Sequence, residues 1–236
     1  MSNILKVEYL FPTHVLVTDQ VRRPDTPLVL NQQEQDFIDE CCNNTFINST
    51  ISMINHHNKS LHDSYHRVSK NRNLLHHPSM IHLYRWLKEW ASSHIRKMYN
   101  APKETSFDIT QSWLTVTSKE HYASFPHVHS NSFMSGVLYI QANREYDSIE
   151  FTRSPNTDRF KMEITDQEIN PTALTMENHY VPVHTGDILL FSSHTTHRIY
   201  ANPSNPEPRI SLAFNVLPSG VIGFYDQASQ VNITVT

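Results

Sequence analysis

The sequence predicts a mainly β fold with flanking α-helices, a β-sandwich or jelly roll, on three observations. After Pro102 the apolar residues recur with period two in a series of short runs separated by turn residues. Before Pro102 only one long stretch carries helical spacing. The chain has four glycines in 236 residues, so its turns must rely on Asn, Asp, Ser and Pro.

Taken in order, residues 4–21, "ILKVEYLFPTHVLVTDQV", are β-rich and broken by a proline, which predicts a strand pair or a bent strand. Asn31 followed by Glu34 has the form of a capping box and predicts a short helix with Phe37, Ile38 and Cys41 inward. Residues 43–78 are rich in Asn, Ser and His and read as loops with at most short helices. From Ser79 the spacing of Ile81, Tyr84, Leu87, Ala91, Ile95 and Met98 predicts the longest helix, with Trp86 and Trp90 widening its buried stripe. The strands expected after Pro102 are "SFDITQSWLTVTS", "FMSGVLYIQ", "DSIEFTR", "DILLFSS", "THRIYA" and "RISLAFNV". One domain over 1–236 is expected, with N-terminal strands and helices over 1–105, a β core over 106–217 and a tail over 218–236.

Composition narrows the function. With 19 Lys and Arg against 23 Asp and Glu, the formal charge is −4, which argues against general attraction to nucleic acid or anionic membrane. Cys41 and Cys42 are adjacent and cannot build a disulfide framework. The stretch MSNILKVEYLFP lacks the marks of a signal peptide, and no run has the length of a membrane span. A cytoplasmic location is therefore the expectation. There is no glycine-rich phosphate loop, Ser or Cys nucleophile signature or zinc-finger cysteine spacing.

The chemistry-bearing residues lie in the β half. "SFPHVHSNSFMSG" places His127 and His129 one residue apart, and on a strand both rings would share one face. His197 closes "FSSHTTH". In "RISLAFN" one face carries Arg209, Ser211, Ala213 and Asn215, while Ile210, Leu212, Phe214 and Val216 take the other. An unpaired buried guanidinium is costly, so that polar face should line a cavity, and a planar fork suits a carboxylate.

This ordered set, H-x-H, then a distal His, then R-x-S, resembles the iron(II)- and 2-oxoglutarate-dependent oxygenases over roughly residues 107–217. The phrases "HVHSNSFMSGVLYI" and "GDILLFSSHTTHRI…RISLAFN" look most like a subgroup with an H-x-H pair, an S-G-V-x-Y strand and a G-D-x-x-x-F lead into the distal His. The resemblance implies a double-stranded β-helix with N-terminal helices packed against it, Fe(II) as cofactor and 2-oxoglutarate as cosubstrate. By position it implies His127 and His197 as metal ligands, and Arg209, Ser211 and Tyr139 as the grip on the cosubstrate carboxylate. His129 stands where the family has an acid, so it is either a third ligand or a support behind the other two. A small residue makes room for halide in halogenases, and histidine would fill that space.

The implied reaction is hydroxylation of a peptide side chain or a small polar metabolite, with release of succinate and CO2. The segments 43–78 and 154–180 would flank the mouth of the site. Expected partners are the cosubstrate and an unknown primary substrate, with no membrane or general nucleic-acid binding and a homo-oligomer left open. Each residue also has a plainer role. Arg209 could pair with Asp187, Tyr139 could be a core aromatic, and His184 and His194 could be surface residues. Glu150 or Asp147 could lend a carboxylate. The alternatives for the whole protein are a three-histidine zinc hydrolase or lyase and a non-catalytic β-sandwich binding module.

Overall fold

The structure is a computed structural model that describes residues 13–18, 29–44, 46–48, 67–118, 124–153, 176–202, 204–223 and 230–235. The chain runs β1 (Val15–Thr18), α1 (Gln32–Asn44), β2 (Phe46–Asn48), β3 (Arg67–Ser69) and α2 (Ile81–Tyr99). It continues with β4 (Ser106–Thr117), β5 (Met134–Gln141), β6 (Asp147–Thr152), β7 (Asn178–Pro182), β8 (Ile188–Ser192), β9 (His197–Ala201), β10 (Arg209–Ile222) and β11 (Val231–Ile233). The larger sheet has the order β1-β8-β5-β10-β4-β3-β2, with β11 on the far end of β10, and the smaller is β7-β6-β9. Every ladder is antiparallel. This is the double-stranded β-helix, with its core in two layers.

One layer lies between the larger sheet and the helices, where Ile38, Leu83, Leu87 and Ile95 meet Leu114, Leu138, Leu190, Leu212 and Phe214. The other lies between the two sheets and holds Val137, Tyr139, Ile149, Phe151, Leu189, Phe191 and Ala213. The larger sheet is thus buried on both faces, which is why β5 reads "MSGVLYIQ" with little polar alternation. Gly136 is required by close approach: a Cβ there would sit 2.1 Å from the Phe214 ring.

The capping box forms as predicted. Asn31 Oδ1 accepts from the Glu34 amide at 2.9 Å, and Glu34 Oε2 accepts from the Asn31 amide at 2.9 Å. Glu34 is fully buried and its other oxygen accepts from Leu83 N at 3.0 Å, so one carboxylate ties α1 to the start of α2. Neither cysteine forms a disulfide among the described residues, and burial foremost pushes the Cys42 thiol up to about 11.

Several expectations need correction. The buried stripe of α2 is Leu83, Leu87, Ala91, Ser92 and Ile95; Met98 is exposed and Ile81 half-buried. The stripe is rotated because Met80, in the 3-10 turn Pro78–Met80 before the helix, already fills the position that Ile81 was expected to take. Residues 43–78 include β2 and β3 as well as 3-10 turns, because these strands extend the sheet beyond β4. β7 begins inside the stretch 154–180 expected to be a loop and runs two residues past it. β10 runs past 217 to Ile222, and Pro218 falls where the β5 ladder has ended at Val216. Of residues 4–21 only β1 falls among the strands described; 1–12, 19–28, 49–66 and 154–175 lie outside the described residues. No helix among the described residues is long and apolar enough to cross a membrane.

Candidate metal and cosubstrate site

The residues "PHVHS" do not form a regular strand. They lie extended and are held by an isolated bridge in which His127 N donates to the His197 carbonyl at 2.9 Å and His197 N donates to the His127 carbonyl at 3.0 Å. His129 N donates to the Ser193 carbonyl at 2.9 Å, which anchors the other end. Extended geometry still sends alternate side chains to opposite sides, so Val128 is exposed while the rings of His127 and His129 lie 5.4 Å apart on one side. The His197 ring, at the start of β9, completes the group at 4.5 Å from His127 and 4.9 Å from His129. One ring nitrogen from each lies within 4.8 Å of the others.

Their hydrogen bonds assign their tautomers. His127 Nδ1 meets the Phe125 carbonyl at 2.8 Å and His197 Nδ1 meets the Thr195 carbonyl at 2.9 Å. A carbonyl oxygen can only accept, so both Nδ1 atoms carry the proton and both Nε2 atoms keep a lone pair. His129 Nδ1 lies 2.8 Å from Asn215 Oδ1, with the same consequence. Burial is the main cause that holds all three rings neutral: it lowers His127, takes His129 to about 4 and takes His197 to about 3. Around the group, His197 packs on Phe191 and His129 on Trp113. The exposed Arg72 guanidinium lies over the outer side of Trp113. No acid joins the cluster among the described residues. Glu150 pairs with Arg198 at 2.6 Å, and Asp147 Oδ2 accepts from Asn143 N and Asn205 Nδ2.

A second polar group lies along the same inner face. The register of β10 sets Arg209 opposite Thr117 and Ser211 opposite Thr115 on β4, and Ser211 opposite Tyr139 on β5. Arg209 is 2% exposed, its Nη1 donates to the Ser148 carbonyl at 2.8 Å, and its guanidinium lies 5.0 Å from the Tyr139 ring centre. It makes no ion pair with Asp187, whose carboxylate is held by Arg144 at 3.2 Å and by the His184 amide. Three buried polar atoms here have no protein partner: Arg209 Nε, the Tyr139 hydroxyl and Thr117 Oγ1. Buried polar atoms without partners cost free energy, and donors grouped beside a guanidinium are of the kind that can hold a carboxylate. Ser211, at 3% exposure, lines the same wall. His194 is exposed, as expected of a surface residue, and His184 bonds the Thr185 carbonyl.

Thr117 is absent from the sequence expectations, as are Ser135 and Ser193 behind His129. The available signal was the alternation of "TVTS", which places Thr115 and Thr117 on the face opposite Ser211 and Arg209.

Residues 111–215 match the family described as "Putative 2OG-Fe(II) oxygenase". The fold is similar to the non-heme α-ketoglutarate-dependent epimerase SnoN of nogalamycin biosynthesis, at 14% identity and TM-score 0.56, covering 92% of this chain and 83% of that one. It is similar to a 2OG-Fe(II) oxygenase-family oxidoreductase from Burkholderia pseudomallei, at 10% identity and TM-score 0.51, covering 86% and 84%. It is also similar to a prolyl hydroxylase from Trichoplax adhaerens, solved with a hypoxia-inducible-factor peptide fragment, at 9% identity and TM-score 0.53, covering 86% and 83%. No curated protein matches the sequence. The fold is a jelly roll that carries three clustered histidines. The matched segment, less than half of the chain, contains all three clustered histidines together with Tyr139, Arg209 and Ser211.

Proposed function

We propose that the protein is a dioxygenase that hydroxylates a peptide side chain or a small polar metabolite, with His127, His129 and His197 holding iron(II). Arg209, Ser211, Tyr139 and Thr117 would hold the far carboxylate of 2-oxoglutarate. The observation that carries this reading is the pairing, on one interior face, of three available imidazole lone pairs with three unpartnered buried donors. Iron and cosubstrate would together use O2 for oxidative decarboxylation to succinate and CO2, one oxygen atom entering succinate and the other the substrate.

The rest is the work of the chain. Neutral imidazoles need lose no proton to accept a metal at neutral pH. Arg209 provides charge and direction, while the two hydroxyls add hydrogen bonds that have no competing protein partner. Phe151, Phe191 and Val137 keep water from the interior between the sheets. A zinc hydrolase could use the same histidines, but it leaves the donors around Arg209 without a purpose.

The test is anaerobic titration of the iron(II)-loaded protein with 2-oxoglutarate, followed by its visible charge-transfer band. Arg209→Ala should retain iron yet lose about 2–5 kcal/mol of cosubstrate binding, roughly 30-fold to several-thousand-fold. Lys at that position should do better than Ala and worse than Arg, being a point charge without the fork. No binding by the parent, or equal binding by Arg209→Ala, overturns the oxygenase reading in favour of the hydrolase or the binding module.

A further inference from the structure

We propose that Asn215 is a positioning residue that makes His129 the third metal-binding imidazole, acting with a chain of three serine hydroxyls. The inference rests on the metal reading above and adds how a histidine serves where an acid is expected.

Asn215 is 3% exposed, and its amide is used at both ends. Oδ1 lies 2.8 Å from His129 Nδ1 and 3.0 Å from Ser135 Oγ, while Nδ2 donates to Gln111 Oε1 at 2.9 Å. Because the serine chain puts a proton on His129 Nδ1, the group facing that nitrogen must accept, so it is the Asn215 oxygen, and Nδ2 is left for Gln111. Asn215 is paired with Gln111 on β4 and Ser135 on β5, so its partners are delivered by sheet register rather than by a loop.

The hydroxyl chain sets where the proton lies. Ser135 Oγ lies 2.8 Å from His129 Nδ1 and 2.8 Å from Ser193 Oγ. Ser193 Oγ donates to Ser132 Oγ at 2.7 Å, and Ser132 Oγ donates to the Met134 carbonyl at 2.9 Å. The carbonyl at the end can only accept, so donation runs away from the histidine along the chain, and Nδ1 is the donor that begins it. The chain places the proton on Nδ1, the Asn215 oxygen accepts from the same side, and Nε2 is left free on the side shared with His127 and His197. An amide carries no charge, so this support orients the ring without adding the negative charge of a carboxylate.

The experiment uses the full chain, with Ni(II) as the probe. Long-range 15N–1H correlation of the metal-free protein reads the His129 tautomer, and calorimetric titration reads Ni(II) affinity. The parent should show Nδ1–H at His129. Asn215→Leu should leave the tautomer to Ser135 alone, loosen the ring and bind Ni(II) about 10- to 100-fold more weakly, approaching His129→Ala. Asn215→Asp keeps an acceptor oxygen in place and should restore affinity to the parent level or above, which a merely structural role for the side chain would not produce. Ser135→Ala keeps the Asn215 contact and should cost a smaller factor; if Asn215→Leu does not fold, this variant and the parent tautomer carry the test. An Nε2–H tautomer in the parent, unchanged Ni(II) affinity in Asn215→Leu, or no rescue by Asp overturns the positioning role. A parent that takes up no Ni(II) overturns the metal reading instead, and the tautomer spectrum still decides what Asn215 does.

Discussion

At the scale of single residues, the site is marked by what it leaves unsatisfied. Thr117 Oγ1 is buried without a partner, so in the empty protein this hydroxyl is a cost. Thr117→Val should therefore act with opposite signs on two measurements. The empty protein should melt at a higher temperature by up to a few degrees, while 2-oxoglutarate binding weakens about tenfold or more, since a hydrogen bond to a charged group is worth roughly 1.5–3 kcal/mol. A threonine that served only packing would not raise stability when changed. The sequence made Arg209 and Ser211 legible because they alternate with four large apolar residues. Thr117 was not legible, because its meaning comes from facing Arg209 across a ladder whose register one strand alone does not reveal.

At the scale of elements, β4 explains why one periodicity did not describe a whole strand. Phe107 and Ile109, at odd positions, lie in the layer beside the helices, and so does Leu114, at an even one. The parity changes at a bulge, where Asn215 pairs with Gln111 but Val216 pairs with Ile109, leaving Thr110 unpaired. Beyond it, Trp113, Thr115 and Thr117 face inward with Ala213, Ser211 and Arg209. On β5 the close fit of Gly136 beneath Phe214 makes a sharper prediction. Gly136→Ala must displace the Phe214 ring, and thermal or denaturant unfolding should show a loss of about 1–3 kcal/mol. In the helical layer, Glu34→Ala strands both the Asn31 and Leu83 amides and should cost about 1–3 kcal/mol in the same assay. The capping box itself was readable from Asn31 and Glu34. Its second use, capping α2, was not, because 49 residues separate Glu34 from Leu83.

At the scale of the whole molecule, the two halves of the sequence become two layers on one sheet. The helices cover its outer face and the smaller sheet encloses its inner one. The division at Pro102 was visible as a change of period; β7 was not, because "NHYVP" has neither an apolar run nor alternation and is exposed along most of its length. With the site built between rigid sheets, metal should act on stability by mass action. Ni(II) at about 100 times its dissociation constant should add about 2.7 kcal/mol, a rise of roughly 5–10 °C in melting temperature. Calorimetry with and without a chelator measures it, and His127→Ala should remove the shift.

The carbonyls of Phe125 and Thr195 that hold the rings of His127 and His197 belong to the main chain, two residues before each histidine. The orientation of those imidazoles is therefore inherited from local backbone shape and exists before any ion arrives. With these histidines holding iron as proposed, synthesis and loading would be separate events: a chain made where iron is scarce would wait, already folded, for its metal. Circular dichroism of the metal-free protein should accordingly match that of the loaded one, and uptake should follow second-order kinetics with no slow conformational phase.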